Sequence, residues 1–477
     1  MVYTQSSHII VRSISLFGML IMALVATAQI TNISPYSRFG IGDPLNGDLI
    51  SQFGMGSTGV AAVDGHHVNA YNPAGQSFLF TPVFEVGVMS QRLQVESAEE
   101  ESTNSMTRLD HFNIGFPMWK GKWGAAFGLR PYSTIGYNNT VSQYSESLDT
   151  TYTAEYIGSG GVNRIYLDIA RKLTLKDDTS KYNQDDLISL GIGGSYLFGS
   201  ASTERNTVFP INSGFMSIRI EDATTLTDLT WNTGFILRSF LDRKEDEDDR
   251  KSSAFTLGAS YSMDAEMNSK KSRNAYTYAV NVSGVEFPRD SITSFSDRRG
   301  TITLPGHLRF GASFEHYVLN KDRNRQRKLI LAIDYRMSDW TVLQEDFGTT
   351  VDYSEMGEST HLGIGFAYSP QVGIQKGTRG NLLRLSTYRL GYRQGDSHLT
   401  LDNEVISESG ISFGMSVPLL VKGRKETDTQ FDFGIAYEER GTTESGLLKE
   451  QGVRIMFGFS FHPDYRFDRW FSKRRYD

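Results

Sequence analysis

The sequence predicts an all-β protein, a 14-stranded antiparallel transmembrane barrel with an N-terminal hatch in its lumen. Three observations support this fold class. From Thr81 onward, segments of roughly ten residues alternate between apolar and small or polar side chains, the period of a strand with two unlike faces. The mean hydropathy of -0.34 is too polar for a bundle of transmembrane helices. The stretch Gly54–Phe80, just before the first strand, is rich in small residues and lacks this alternation.

The last predicted strand shows the two faces most clearly. One face carries Val453, Ile455, Phe457, Phe459 and Phe461. The other face carries Arg454, Met456, Gly458 and Ser460. A soluble sandwich would turn its apolar face inward and expose mostly Lys, Glu and Thr on the other face. Here the second face of the strands is mostly Gly, Ser and Ala, which suits a crowded lumen, while the apolar face suits lipid.

The number of strands sets the size of the barrel. The fourteen pattern centres lie near Phe84, Phe112, Phe127, Leu167, Ile192, Leu229, Leu257, Phe310, Ile333, Ile364, Leu385, Phe413, Phe433 and Phe457. An even count returns the chain to the periplasmic side, as in single-chain bacterial barrels. The even-numbered connections are then fairly short. The longest odd-numbered connections, Tyr137–Gly161, Ser200–Thr224 and Asp264–Gly300, suit extracellular loops.

A barrel of this size is too wide for its own side chains to fill. Residues 29–80 are tethered directly to the first strand, and their glycines allow tight turns and close approach to other surfaces. We therefore predict that they form a hatch inside the barrel. The motif Asn72, Pro73, Ala74 and Gly75, at the junction between hatch and barrel, is predicted to lead its gate.

The N-terminal residues predict export. An apolar run over Ile14–Val25 follows Arg12 and precedes Ala26-Thr27-Ala28, which is the pattern of a cleaved signal peptide. The run is shorter than the ~20 residues needed to span a bilayer as a helix. The predicted division is a signal peptide over 1–28, the hatch over 29–80, the barrel over 81–463 and a periplasmic tail over 464–477. The predicted location is the bacterial outer membrane.

Composition restricts the partners and the chemistry. The net charge of -7, without a long basic block, gives no support for nucleic-acid binding, and the absence of cysteine leaves no disulfide framework. The acidic stretch Glu96–Glu101 either binds divalent cations at a lipopolysaccharide surface or forms a solvated turn. Adjacent His66 and His67 would point in opposite directions on an extended segment, so we predict no metal site. No catalytic constellation stands out, so we predict neither an enzyme nor a cofactor.

Seven ionisable residues occupy strand positions opposite the apolar faces. They are Arg130, Asp168, Arg309, Asp334, Arg393, Asp432 and Arg454. Either these side chains line a binding site, or they form a network of salt bridges and hydrogen bonds that holds the hatch. The similar numbers of both charge signs favour the network.

Pro131 lies well inside the third predicted strand, Trp123–Tyr137. Proline cannot donate a ladder hydrogen bond, so it predicts a bulge, a kink or a local gap in the wall. The alternative is a bulge that is merely tolerated near the rim.

These features together resemble the FadL/TodX type of outer-membrane transporter, in its Bacteroidota branch. The resemblance rests on the signal peptide, the strand number and the hatch that ends in Tyr71-Asn72-Pro73-Ala74-Gly75. Leu304-Pro305-Gly306, which opens a strand, and the closing run from Arg440-Gly441-Thr442-Thr443 through Phe461 add to it. The resemblance covers essentially the whole mature chain.

The resemblance implies a channel for hydrophobic or lipid-like molecules, with the hatch as gate and lateral exit beside Pro131. The chain departs from this pattern because Tyr137–Gly161 and Ser200–Thr224 are polar, and because an aromatic and basic tail follows Phe461. Some relatives are accessory barrels in outer-membrane secretion or assembly machines. The alternative prediction is therefore a barrel with little or no transport, whose loops or tail 464–477 bind other outer-membrane or periplasmic proteins.

Overall fold

The computed structural model describes residues 32–176, 185–211, 213–241, 250–281, 283–319, 326–372, 382–419 and 429–463. The predicted signal peptide and the predicted tail 464–477 lie outside these residues. The strands are β1 Asp43–Pro44, β2 Val83–Glu96, β3 Glu101–Met118, β4 Trp123–Ser145, β5 Thr150–Lys176, β6 Asp186–Val208, β7 Ser217–Phe240, β8 Arg250–Ser262, β9 Ala265–Val280, β10 Glu286–Leu304, β11 His307–Leu319, β12 Gln326–Asp339, β13 Gln344–Asp346, β14 Thr350–Asp352, β15 Glu358–Val372, β16 Thr387–Leu401, β17 Glu404–Pro418, β18 Gln430–Gly441 and β19 Lys449–Phe461. The short helices are α1 Ile50–Phe53 and α2 Leu382–Leu385, and the 3-10 turns are Pro35–Arg38, Pro73–Phe78, Trp340–Val342 and Glu444–Gly446.

Fourteen of these strands form one closed antiparallel barrel, as predicted. Its order is β2 to β8, then β11, β12 and β15 to β19, and β19 pairs with β2 from Lys449 opposite Glu96 to Phe461 opposite Phe84. The predicted strand centre at Leu385 was wrong. Leu385 lies in α2, where its side chain is buried, and the strand begins two residues later at Thr387. No helix among the described residues is long and apolar enough to cross a membrane.

The two faces of the strands point as the alternation predicts. In β15, Leu362 and Ile364 are exposed on the outside, whereas Gly363 and Gly365, which alternate with them, are buried toward the lumen. The same alternation holds for Ile411 and Ser412 in β17. An apolar outer belt of this kind is the surface that a bilayer covers.

The prediction of three long loops was wrong, because these stretches form strands. β4 continues to Ser145 and β5 begins at Thr150, while β6 reaches Val208 and β7 begins at Ser217. The stretch predicted as the loop Asp264–Gly300 is most of the hairpin of β9 and β10. Parts such as Thr140–Tyr144 and Glu286–Ser294 are exposed on both faces, so they lack the apolar alternation that marks the membrane strands.

The strand extensions form a sheet that continues beyond the barrel at the end opposite Val83 and Phe461. We call it the outer sheet and define it by residues 133–162, 198–227, 265–304 and 344–352. Its order is β4, β5, β6, β7, β9, β10, β13 and β14. The sheet is open, because β4 and β10 each carry residues without a neighbour on one side among the described residues. Barrels of this type carry their longer connections at the extracellular end, so we assign the outer sheet to that side.

Residues 32–80, which we call the N-terminal segment, lie against the lumenal faces of the barrel. Phe53 in α1 packs among Met89, Ala436 and Met456 of the wall. The contact is close enough to require glycine in places: a Cβ on Gly391 would lie 1.8 Å from the backbone nitrogen of Gly56. The backbone of the segment therefore packs against the wall at positions where small wall residues leave room for it.

Candidate functional site

The motif of Asn72 to Gly75 forms the start of a buried 3-10 turn. The Asn72 side chain accepts a hydrogen bond from the Ala74 backbone N–H at 3.0 Å, and Pro73 occupies the first position of the turn, where no donor is needed. Asn72 Nδ2 also donates to the carbonyl of Phe235 in β7 at 3.0 Å. A Cβ on Gly75 would lie 2.6 Å from that of Asn69, so the turn leaves room only for glycine there.

The wall opposite this motif is shaped to receive it. A Cβ on Gly191 in β6 would lie 2.3 Å from the Ala74 nitrogen, and one on Gly234 in β7 would lie 2.0 Å from Asn72 Oδ1. Ser189 Oγ donates to the Ala74 carbonyl at 2.8 Å. The four motif residues thus make specific contacts with two adjacent strands, and their role as a gate stays a prediction.

Three residues of the predicted lumen network bind the backbone of the N-terminal segment. Arg130 donates to the carbonyls of Ala70 at 3.0 Å and Gly47 at 3.2 Å. Asp334 Oδ2 accepts from the backbone N–H of Gly59 at 2.6 Å and of Val60 at 2.8 Å. Arg309 donates to the Asn46 carbonyl at 3.4 Å. These are charge-assisted bonds, stronger than neutral ones.

The other four residues of the network contact side chains. Asp168 accepts from Gln76 Nε2 at 3.4 Å, and Asp432 Oδ1 lies 3.4 Å from His67 Nε2. Arg393 donates to Ser57 Oγ at 3.2 Å and pairs with Glu438. Arg454 pairs with Glu438 at 2.9 Å and lies over the Phe53 ring. All seven predicted positions therefore contact the N-terminal segment, and that they hold it in place stays a prediction.

His67 forms the most buried ionic link between segment and wall, and we predicted only that it would not bind a metal. Its Nδ1 lies 2.9 Å from Asp64 Oδ2, and its Nε2 faces Asp432 of β18. Burial alone would lower the pKa of His67, but the carboxylates of Asp64 and Asp432 outweigh burial and raise the pKa to about 10. His67 and Asp432 are 365 residues apart in the chain, so a single sequence does not reveal that they are neighbours. Among the described residues, no group of three or more His, Asp or Glu side chains is arranged to hold a metal ion.

The ladder between the second and third barrel strands stops beside Pro131. β3 and β4 pair only from Met118 opposite Trp123 to Phe112 opposite Leu129. The pairing of β4 with β5 shifts register between Pro131 and Ser133, so the bulge that Pro131 predicts is present. Beyond it, the N-terminal segment takes the place of β3, because β1 pairs with Ser133 and Thr134. That this gap is an exit stays a prediction.

A cavity lies between the N-terminal segment and the wall, toward the outer end. Its volume is about 110 Å³, well below the roughly 300–1,000 Å³ of typical small-molecule pockets. Its lining is mainly polar and charged and includes Arg336, Arg393, Arg440, Glu408, Glu438 and His398. Such a lining suits water and ions and gives an apolar molecule little to bind.

Removal of the Asp334 carboxylate tests whether the network holds the segment. In Asp334→Ala, the N–H groups of Gly59 and Val60 lose their acceptor, which costs about 1–3 kcal/mol. The chain has no cysteine, so a single cysteine at the fully buried Ala61 reports local release. We expect maleimide labelling of Ala61→Cys to become about tenfold faster in Asp334→Ala. Asp290→Ala, on an exposed strand, is the control, and equal labelling rates in both variants would contradict a holding role.

A protein-family model identifies the family of this chain. The model of the BamG family matches residues 10–477, which is nearly the entire sequence. The chain belongs to the BamG family. The match includes the N-terminal segment as well as the barrel.

Solved structures show the fold that this BamG protein shares. A FadL homologue of Pseudomonas aeruginosa matches with a TM-score of 0.50 and 11% identity, covering 91% of this chain and 100% of that one. The toluene transporter TodX of Pseudomonas putida matches with a TM-score of 0.49 and 14% identity over 88% of this chain and 98% of that one. At this identity the likeness concerns the fold alone. The FadL-like barrel predicted from the sequence is confirmed, and the BamG protein is an outer-membrane barrel. No curated protein matches its sequence.

Proposed function

We propose that this BamG protein is an accessory barrel of a multi-protein outer-membrane complex, with little or no transport of its own. The observation that carries the proposal is the small, charged cavity, because a channel for apolar molecules needs an apolar path. Membership of the BamG family fits this role.

In this proposal the N-terminal segment is a stopper. Its backbone is bound by Arg130 and Asp334, its His67 is paired on both sides, and its motif turn fits against Gly191 and Gly234. A barrel wide enough to leak must be closed if it serves other proteins in the membrane. The wall then presents a lipid-facing surface, and the outer sheet presents a surface beyond the membrane.

Gentle purification tests the accessory role. A tagged chain extracted from outer membranes in mild detergent is expected to retain a protein partner in a fixed ratio. Deletion of 464–477, the predicted periplasmic tail, tests whether the partner binds on the periplasmic side, and the full-length chain is the control. A chain that elutes alone under every extraction condition would contradict the proposal.

A second candidate function is a channel for hydrophobic or lipid-like molecules, with the motif Asn72 to Gly75 as gate and Pro131 as exit. One observation favours it: the β3–β4 ladder stops at Leu129, and a small cavity of about 30 Å³ beside this gap includes the apolar side chains of Phe53, Met89 and Met456. The same cavity also contains Arg108 and Asp110, which are poor partners for an apolar ligand.

Extraction of small molecules from the purified chain separates the two functions. The channel requires a lipid-like compound that co-purifies in stoichiometric amount and is lost when the gap is blocked, for example by Met89→Trp. The outward-facing Val88→Trp on the same strand is the matched control. An accessory barrel retains its protein partner in both variants and carries no such compound.

A further inference from the structure

Two free edges of the outer sheet, on β4 and β10, differ in how they are protected against pairing. Along β10, the stretch Glu286–Gly300 contains Pro288, several charged side chains and three register shifts. Proline, charge and bulges are the features by which natural sheets prevent edge pairing. This edge is therefore protected.

Beyond the bulge at Pro131, the β4 edge has none of these features. The stretch Tyr137–Ser145 contains no charged residue and no proline, and its pairing with β5 is regular from Ser133 to Ser145. Its other side has no partner strand among the described residues, since β3 pairs only as far as Leu129 and β1 only at Ser133 and Thr134. A long, regular and uncharged edge is a template for strand pairing.

The N-terminal segment already uses the lower part of this edge. Leu45 N donates to the Tyr132 carbonyl at 2.9 Å, Asn32 Nδ2 donates to the Thr134 carbonyl at 3.1 Å, and Gly136 N donates to Ser37 Oγ at 3.1 Å. Every second residue of β4 therefore directs its backbone N–H and C=O away from β5. The same alternation directs the backbone groups of Asn138, Thr140, Ser142 and Tyr144 toward open space.

We propose that this edge binds an extended segment of another polypeptide by strand addition, continuing the ladder that the N-terminal segment begins. The proposal rests on the accessory role and assigns the place where a partner docks. Main-chain hydrogen bonds to the four outward-directed residues supply the affinity. Side chains along the strand supply the selectivity, and Val141 and Tyr144, 45% and 59% exposed, favour β-branched or aromatic neighbours without charge.

A second copy of this chain is a poor occupant. Copies in one membrane share the same orientation, so their β4 strands both run outward and could pair only in the parallel sense, which is less stable per residue. An extended segment of a different protein can approach in either direction. The occupant is therefore a flexible or terminal segment of a partner located outside the outer membrane.

Site-specific cross-linking tests the location. A photo-reactive p-benzoylphenylalanine in place of Tyr144 is compared with the same group in place of Ile292, on the protected β10 edge. The two native side chains are 59% and 56% exposed, so general accessibility is matched. We expect one polypeptide to cross-link at position 144 and not at 292, and mass spectrometry to locate the adduct in a short uncharged segment. A cross-link at 292 alone, or to a second copy at 144, would overturn the proposal.

A proline substitution tests the strand addition itself. The Ser142 N–H is not used by β5, so Ser142→Pro leaves the barrel ladder intact while it blocks the edge. We expect the retained partner to fall about tenfold or more in Ser142→Pro and to stay unchanged in Ser142→Thr. In the wild-type complex, hydrogen exchange should slow at Asn138, Thr140, Ser142 and Tyr144, while the residues between them are already protected.

The outcomes separate this proposal from the accessory role. If the wild-type chain retains a partner and Ser142→Pro retains it equally, the docking edge is wrong and the accessory role stands. If the wild-type chain retains no partner, the accessory role fails, and the docking edge fails with it. Normal heat-dependent migration of Ser142→Pro in electrophoresis checks that its barrel has folded.

Discussion

Replacing Gly191 by valine is expected to open the lumen. A Cβ at this position would lie 2.3 Å from the Ala74 nitrogen and 2.4 Å from the Pro73 carbonyl carbon, and backbone atoms cannot rotate away as a flexible side chain can. Overpacking of this kind costs about 1–3 kcal/mol, or more when both partners are rigid. The wall itself favours valine, which has a higher strand propensity than glycine. We therefore expect the N-terminal segment, and not the barrel, to yield.

The same strand supplies a matched control. Gly194 lies three residues along β6 on the lipid face, where a Cβ would approach only the ring of Trp231, at 3.1 Å. We expect Gly191→Val to raise the conductance of single barrels in planar bilayers and to sensitise cells to large hydrophilic antibiotics. Gly194→Val should behave like the wild type. If Gly191→Val forms a folded barrel that stays closed, the motif turn does not seal the lumen, and the stopper proposal must be abandoned.

The parts of the fold that the sequence predicts are those set by local patterns. A strand in the membrane has one face in lipid, so Leu362 and Ile364 alternate with glycines, and the number of barrel strands follows. The outer sheet escaped prediction because water covers both faces of segments such as Tyr137–Ser145, which removes the alternation. The predicted strand centre at Leu385 was wrong for a related reason. In the sequence, a buried leucine of a short helix cannot be distinguished from a buried leucine of a strand.

In the candidate site too, local patterns predict some features and not others. The seven ionisable lumen positions follow from strand parity alone, and all seven contact the N-terminal segment. Their individual partners do not follow, because they depend on how the segment threads the lumen. His67 was the largest omission. Its neighbour Asp64 is visible in the sequence, but its second carboxylate, Asp432, comes from the far end of the chain.

Replacing His67 by alanine is expected to release the segment at neutral pH. His67 is 6% exposed, and its removal leaves the carboxylate of Asp432 without this cation and that of Asp64 with Arg389, at 3.8 Å. Breaking a buried ion pair by removing one partner costs about 3–5 kcal/mol. We expect His67→Ala barrels to conduct at pH 7. His66→Ala is the matched control, because the adjacent ring packs edge-on against Phe80 and His462 and forms no ion pair among the described residues.

The pH dependence of the wild type gives an independent test of the same contact. The folded pKa of His67, about 10, lies above the value near 6.5 expected in the unfolded chain, so its contribution is complete below about pH 6.5 and is lost as pH rises through 10. Wild-type barrels should therefore remain closed from pH 6 to pH 9 and open as the pH passes 10. His67→Gln, which cannot carry the charge, should lose this transition. A wild-type barrel that stays closed at pH 11 would show that the neutral contacts of the segment suffice to hold it, and that the ion pair contributes little.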